Sequence, residues 1–171
     1  ALQRPRRRAA PRPPAPADPT PWQQAFGGAV LTPAEFAMLL RLARRRTVAA
    51  GESVFTDSAM AHDLVLLLSG DAVLGTRDGL GALRTERSVT GPAWLDASSA
   101  WLEVPYAMEA QALSDIVIAE LPLMSLLSEL DVQPGLAHRL CVMLARQVHM
   151  LTVASRNLLH NDAPARFAQW L

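Results

Sequence analysis

Few side chains in this sequence are suited to chemistry. Cys141 has His138 three residues before it, His149 eight after it, and His160 further on. On a helix, His138 and Cys141 share a face, and pairing two copies would double the ligand count. Two ligands still make a poor metal site, and a lone cysteine on a helix reads first as a small apolar filler. No metal and no cofactor are expected. The single Cys excludes an internal disulfide framework and a cysteine-ligated iron–sulfur cluster. A Cys141–Cys141 bridge between copies is the redox option left open. All 16 basic residues are Arg, so a Schiff-base lysine and a P-loop lysine are excluded. There is no GxSxG, HExxH, Walker loop or GxGxxG. Asp96 and Glu103 could share a cleft, but nothing beside them points to acid–base work. Catalysis is not expected.

The elements that must position any site come next. The 171 residues carry 16 basic and 16 acidic side chains, so no overall charge draws the chain to nucleic acid or membrane. The charge is unevenly spread. Residues 1–21 hold Arg4, Arg6, Arg7, Arg8, Arg12 and seven prolines against one acid, Asp18. Proline blocks helix and like charges repel, so this segment reads as a disordered tail, either a solvated leader or a basic arm that touches phosphates. It has no apolar stretch of the secretory kind. No apolar run reaches the roughly 18 residues that span a bilayer, so no membrane partner is expected and the cytoplasm is the default location.

Thr32-Pro33-Ala34-Glu35 has the form of a capping box with proline in the first turn. Phe36, Leu39, Leu40 and Ala43 follow at helical spacing, and the helix is expected to end near Arg44-Arg45-Arg46. Short apolar runs follow: Val48, Val54-Phe55, Leu64 to Leu68, Ala72 to Leu74, and Ile116 to Ile118. Gly51, Gly70, Asp78-Gly79, Gly81 and Gly91-Pro92 punctuate them, a β-sandwich or barrel pattern with a hairpin at Asp78-Gly79. Leu64 to Leu68 does not alternate, which places it in the interior. Leu123, Met124, Leu126, Leu127 and Leu130 then form a short amphipathic helix.

Pro134 opens a run without Gly or Pro after Gly135 until Pro164, about 40 Å of helix to His160. One stripe reads Leu136, Leu140, Met143, Gln147, Met150, Ala154 and Leu158. A second reads Leu144, Val148, Leu151 and Ser155. Two apolar stripes need two surfaces: the roll, and an identical helix of a second copy. Asn161-Asp162-Ala163-Pro164 is expected to break the helix, with Asp162 capping a new one that carries Phe167, Trp170 and Leu171. Ending on Trp170-Leu171 suggests that the chain stops inside the first helix of a further domain.

In this order the elements resemble the Crp/Fnr superfamily of bacterial transcription regulators, over roughly residues 31–171. Ala50 to Phe55 is similar to the family's Gly-Glu turn before a strand. Leu64 to Leu74 resembles its "LYLLLSGxVxL" strand pair, Ser114 to Leu121 its last strand, and Asn157 to Leu171 its hinge and first DNA-binding helix. The resemblance implies an α+β, mainly β fold: a double-stranded β-helix or jelly roll of the cyclic-nucleotide-binding-like type, flanked by an N-terminal helix and a long C-terminal dimerisation helix. The domains would be a tail (1–21), a sensor roll (22–132), a dimerisation helix (133–160) and the start of a DNA-binding domain (161–171).

Cyclic-nucleotide-binding relatives hold the phosphate on a short helix after a Gly, with a Glu on the ribose and an Arg followed by Ser or Thr on the phosphate. The matching stretch here is Gly91 to Trp101. Asp96 falls at the ribose carboxylate, Leu95 replaces a Gly, and Tyr106 stands where the phosphate Arg is expected. No Arg lies between Arg87 and Arg139. The resemblance therefore marks Gly91, Trp94, Asp96, Ser98, Ser99, Trp101, Tyr106 and Thr152 as a degenerate pocket. A lost charge-assisted contact costs about 1.5–3 kcal/mol, or ten- to a hundredfold in affinity. Tight binding of cyclic AMP or cyclic GMP is not expected. Trp94, Trp101, Tyr106 and Met108 leave room for a small uncharged effector, or for a pocket filled by its own side chains.

The function so implied is the sensory and dimerisation part of a DNA-binding regulator. Its dimer interface would take Leu136, Leu140, Met143, Leu144, Gln147, Val148, Leu151, Ser155 and Leu158. DNA would be bound through a C-terminal domain outside this chain. The alternative is a stand-alone roll that acts as a protein-interaction or small-ligand module.

Overall fold

The computed structural model describes residues 18–167, without the side chains of Ala154 and of residues 156–167. Most of the expected tail, the side chain of Leu158, and Trp170-Leu171 lie outside the described residues. In chain order the elements are α1 (Thr20–Ala25), α2 (Pro33–Leu42), β1 (Arg44–Val48), β2 (Ser53–Phe55), β3 (Asp63–Ser69), β4 (Asp71–Arg77), β5 (Leu83–Thr90), β6 (Ala93–Leu95), α3 (Ala97–Trp101), β7 (Glu109–Ala112), β8 (Ile116–Pro122), α4 (Leu123–Leu130) and α5 (Pro134–Phe167).

Two antiparallel four-stranded sheets form the roll, in the orders β1-β8-β3-β6 and β2-β7-β4-β5. β3 lies inside its sheet, between β8 and β6, and Leu64 to Leu68 are buried throughout. A strand covered on both faces needs apolar residues at every position, hence the unbroken leucine run. β4 and β5 form the hairpin expected at Asp78. The Asp78 carboxylate accepts from the N–H groups of Leu80 and Ala82, and Gly81 takes the left-handed conformation.

The capping box at α2 is present. Glu35 N–H donates to Thr32 Oγ1 at 3.2 Å, and Thr32 N–H donates to Glu35 Oε2 at 2.7 Å. The helix stops earlier than the arginines suggest: Ala43 is already extended, and Arg44-Arg45-Arg46 belong to β1. All three arginines are exposed, so this edge strand carries no alternating apolar signal. Ion pairs fix it instead. Arg44 donates to both oxygens of Asp63, and Arg46 to Glu120 at 2.9 Å.

Two further expectations change. The proline-rich start gives way to helix at Thr20, where α1 and its exit bury Trp22 and Phe26 in the core. At the other end α5 does not break at Asn161 to Pro164; its backbone is helical through Phe167.

Candidate effector cavity

Between the roll and α5 lies an open cavity of about 630 Å³. Its walls come from α1 and the turn after it, from β5, β6 and α3, and from one face of α5. Trp94 organises the first wall. Its position opposite Leu66 in the β3–β6 ladder turns the indole outward onto α1. The indole N–H donates to Ala25 O at 3.1 Å, and the Phe26 ring meets Trp94 edge-on at 5.6 Å. Thus α1, absent from the sequence reading, is fastened to the cavity by the tryptophan that the reading selected.

Asp96 caps α3 from a left-handed backbone (φ 42°). This is an unusual conformation for a residue with a β-carbon, and it folds the carboxylate back over the first turn of α3. One oxygen accepts from Ser98 Oγ at 3.0 Å and Ser99 N at 3.3 Å. The other accepts from Ser99 Oγ at 2.8 Å and Ala107 N at 2.9 Å. The carboxylate is thereby saturated by its own chain, and it occupies the N–H groups of Ser99 and Ala107.

Of the residues selected from sequence, Trp94, Asp96 and Ser98 line the cavity, together with Met108. Tyr106 does not. It is buried in the roll, stacked on Phe55 with ring centroids 3.8 Å apart, and its hydroxyl donates to Asp63 O. Burial, with the charges of Asp63, Glu120 and Asp96, pushes its phenol up to about 12. An aromatic ring gains more from this slot than from the wetter cavity. Ser99 is buried beneath Asp96. Trp101 stands off the cavity, half-buried, with its indole nitrogen enclosed and unpartnered. Thr152 is exposed, its hydroxyl spent on Val148 O. Gly91 serves the chain crossing: its N–H donates to Gly70 O, and a Cβ there would lie 2.9 Å from Ser69 N.

The cavity also takes two residues the sequence reading passed over, Arg87 from β5 and Arg146 from α5. Arg146 Nη1 donates to Gly27 O at 2.8 Å. A Cβ on Gly27 would fall 1.7 Å from that nitrogen and push the guanidinium aside, and φ there is +76°, so the backbone calls for glycine. A signal was available. Met143, Arg146, Gln147 and Met150 share one helical face, and all four line the cavity.

The expected dimer stripe divides in two. Leu136, Leu140 and Met143 are buried in the chain's own core, and Leu144 packs against it half-buried, so these four are not a free dimer surface. Gln147, Met150 and Leu151 line the cavity. Beyond them Val148, Met150 and Leu151 are 64%, 67% and 60% exposed, and Ser155 is exposed. Cys141 and His138 are exposed too, so Cys141 is not a buried filler. Among the described residues no cluster of three or more His, Cys, Asp or Glu is placed to hold a metal. None of the described helices is long and apolar enough to cross a membrane.

No protein-family model matches the sequence, and no curated protein matches it significantly. Solved structures do match. The Thermus thermophilus catabolite activator protein superposes with a TM-score of 0.64 at 24% identity, over 75% of this chain and 60% of that one. The N-terminal domain of a transcriptional regulator from Streptomyces coelicolor A3(2) gives 0.65 at 20% identity, over 78% and 94%. The sensor domain of the transcriptional regulator DNR from Pseudomonas aeruginosa gives 0.64 at 20% identity, over 77% and 89%. The fold implied by the Crp/Fnr resemblance is thus the fold of this chain: the β-roll of cyclic-nucleotide-binding-like sensor domains. The chain spans 60% of the length of the catabolite activator protein.

Proposed function

We propose that this chain is the sensory and dimerisation part of a Crp/Fnr-type, DNA-binding transcription regulator acting in the cytoplasm, without enzymatic activity. Its pocket does not answer to cyclic AMP or cyclic GMP. The observation that carries the regulator reading is the 34-residue α5, which leaves the roll with Val148 and Leu151, three residues apart, 64% and 60% exposed. Uncovered apolar residues at helical spacing on a long helix fit a second copy of the same helix. An effector that shifts α5 against the roll would then be felt across the pair and passed to DNA-binding domains beyond it, as a two-state coupling.

The saturated carboxylate of Asp96 supports the nucleotide-insensitive reading. A ribose hydroxyl at this position would have to compete for a carboxylate already engaged by four hydrogen bonds. Sedimentation of the chain at micromolar concentration tests the first part, with a dimer expected; a monomer would remove the basis for the switch. Calorimetry with cyclic AMP tests the second, and no binding at or below about 10 μM is expected. Micromolar or tighter binding would refute it.

A further inference from the structure

We infer that the cavity takes an amphipathic organic anion, with its carboxylate or sulfonate between Arg87 and Arg146 and its apolar body against Trp94, Met108, Met143 and Met150. This rests on reading the cavity as an effector site and adds the chemical class of the effector. The only acid on the cavity wall, Asp96, is neutralised by donors of its own chain, whereas both arginines lack an acidic partner among the described residues. The wall therefore carries two uncompensated positive charges. Both arginines are exposed, while Trp94 and Met143 are buried. Charge at a wet mouth and an apolar, polarisable floor match a ligand that is charged at one end only. A volume of about 630 Å³ suits one small organic molecule. Arg146 is also the residue that holds the turn after α1 through Gly27 O. A ligand carboxylate would compete for the same guanidinium, so occupancy would bear directly on the contact between α1 and α5.

The test is calorimetric titration of the chain with 1-naphthaleneacetate and with its neutral isostere, 1-naphthaleneacetamide. The acid is expected to bind once per chain and at least about tenfold more tightly than the amide, the scale of one charge-assisted contact. Arg87→Gln/Arg146→Gln should abolish that preference while leaving amide binding unchanged. Because Arg146 also anchors Gly27, Arg87→Gln alone serves as the second variant: it removes no hydrogen bond recorded in the fold and should still reduce the preference severalfold. Equal affinity for acid and amide, an unchanged preference in the variants, or no binding of either probe would each overturn the inference. None of these results touches the dimer or the cyclic AMP experiment, so a failure here is distinct from a failure of the regulator reading.

Discussion

The two halves of α5 are drawn from the same residue types, yet they meet opposite surroundings. Leu136, Leu140 and Met143 are buried in the chain's own core, while Val148, Met150 and Leu151 stand largely in solvent. The near half is also fastened by charge. Arg139 donates to Glu35 at 3.3 Å, and Glu35 completes the capping box of α2 with Thr32. The far half is met by the α1 turn through Arg146 and by the cavity. A hydrophobic stripe thus states that a surface will be covered, and it is silent on whether the cover comes from the same chain.

Substitutions can break this contrast in graded steps. Leu136→Ala should have the largest effect on folding. It leaves a cavity at a fully buried site, and about 2–5 kcal/mol of stability should be lost, read from the urea midpoint at constant slope. Glu35→Gln should cost less, about 1–3 kcal/mol, because it weakens a cap and leaves Arg139 without its partner. Burial opposes the charge on Glu35, but the N–H of Thr32 and the guanidinium of Arg139 outweigh it and hold the carboxyl below its ordinary 4.5. The unfolded chain therefore takes up that proton first as pH falls. The stabilisation is present above about 4.5 and is lost below it. The variant should show a shallower acid loss than the parent; identical acid profiles would mean the pair contributes nothing.

Leu151→Arg should leave the fold least disturbed, since its site is 60% exposed, and should weaken self-association by about a hundredfold or more. Unaltered circular dichroism with a monomeric sedimentation coefficient is the expected outcome, and a persisting dimer would sink the assignment of the far stripe. Leu144→Arg is a poorer probe. Its position is half-buried against the chain's own core, so folding and pairing would fail together.

What could be read beforehand follows from how local each signal is. The capping box at Thr32 and Glu35, the short helix from Leu123 to Leu130 and the buried run of β3 are all encoded within a few neighbouring residues. Arg44 to Arg46 misled because cations suit a helix end as well as an exposed edge strand; only Asp63 and Glu120, distant in sequence, decide between them. Tyr106 misled because alignment gives a place along the chain and says nothing of which way a residue in the connection between α3 and β7 will turn to find a stacking partner such as Phe55.

The sequence by itself determined the capped α2, the run of short strands between two helical stretches and the apolar stripe on a long helix, because periodicity, caps and turns act over a few residues. Tertiary structure alone decided that Arg87 and Arg146 would line one cavity, and that half of the stripe would be spent on the core. The cavity and the buried half of the stripe depend on contacts between residues far apart in the chain, such as the 119 positions that separate Gly27 from Arg146, and no local pattern encodes such a distance.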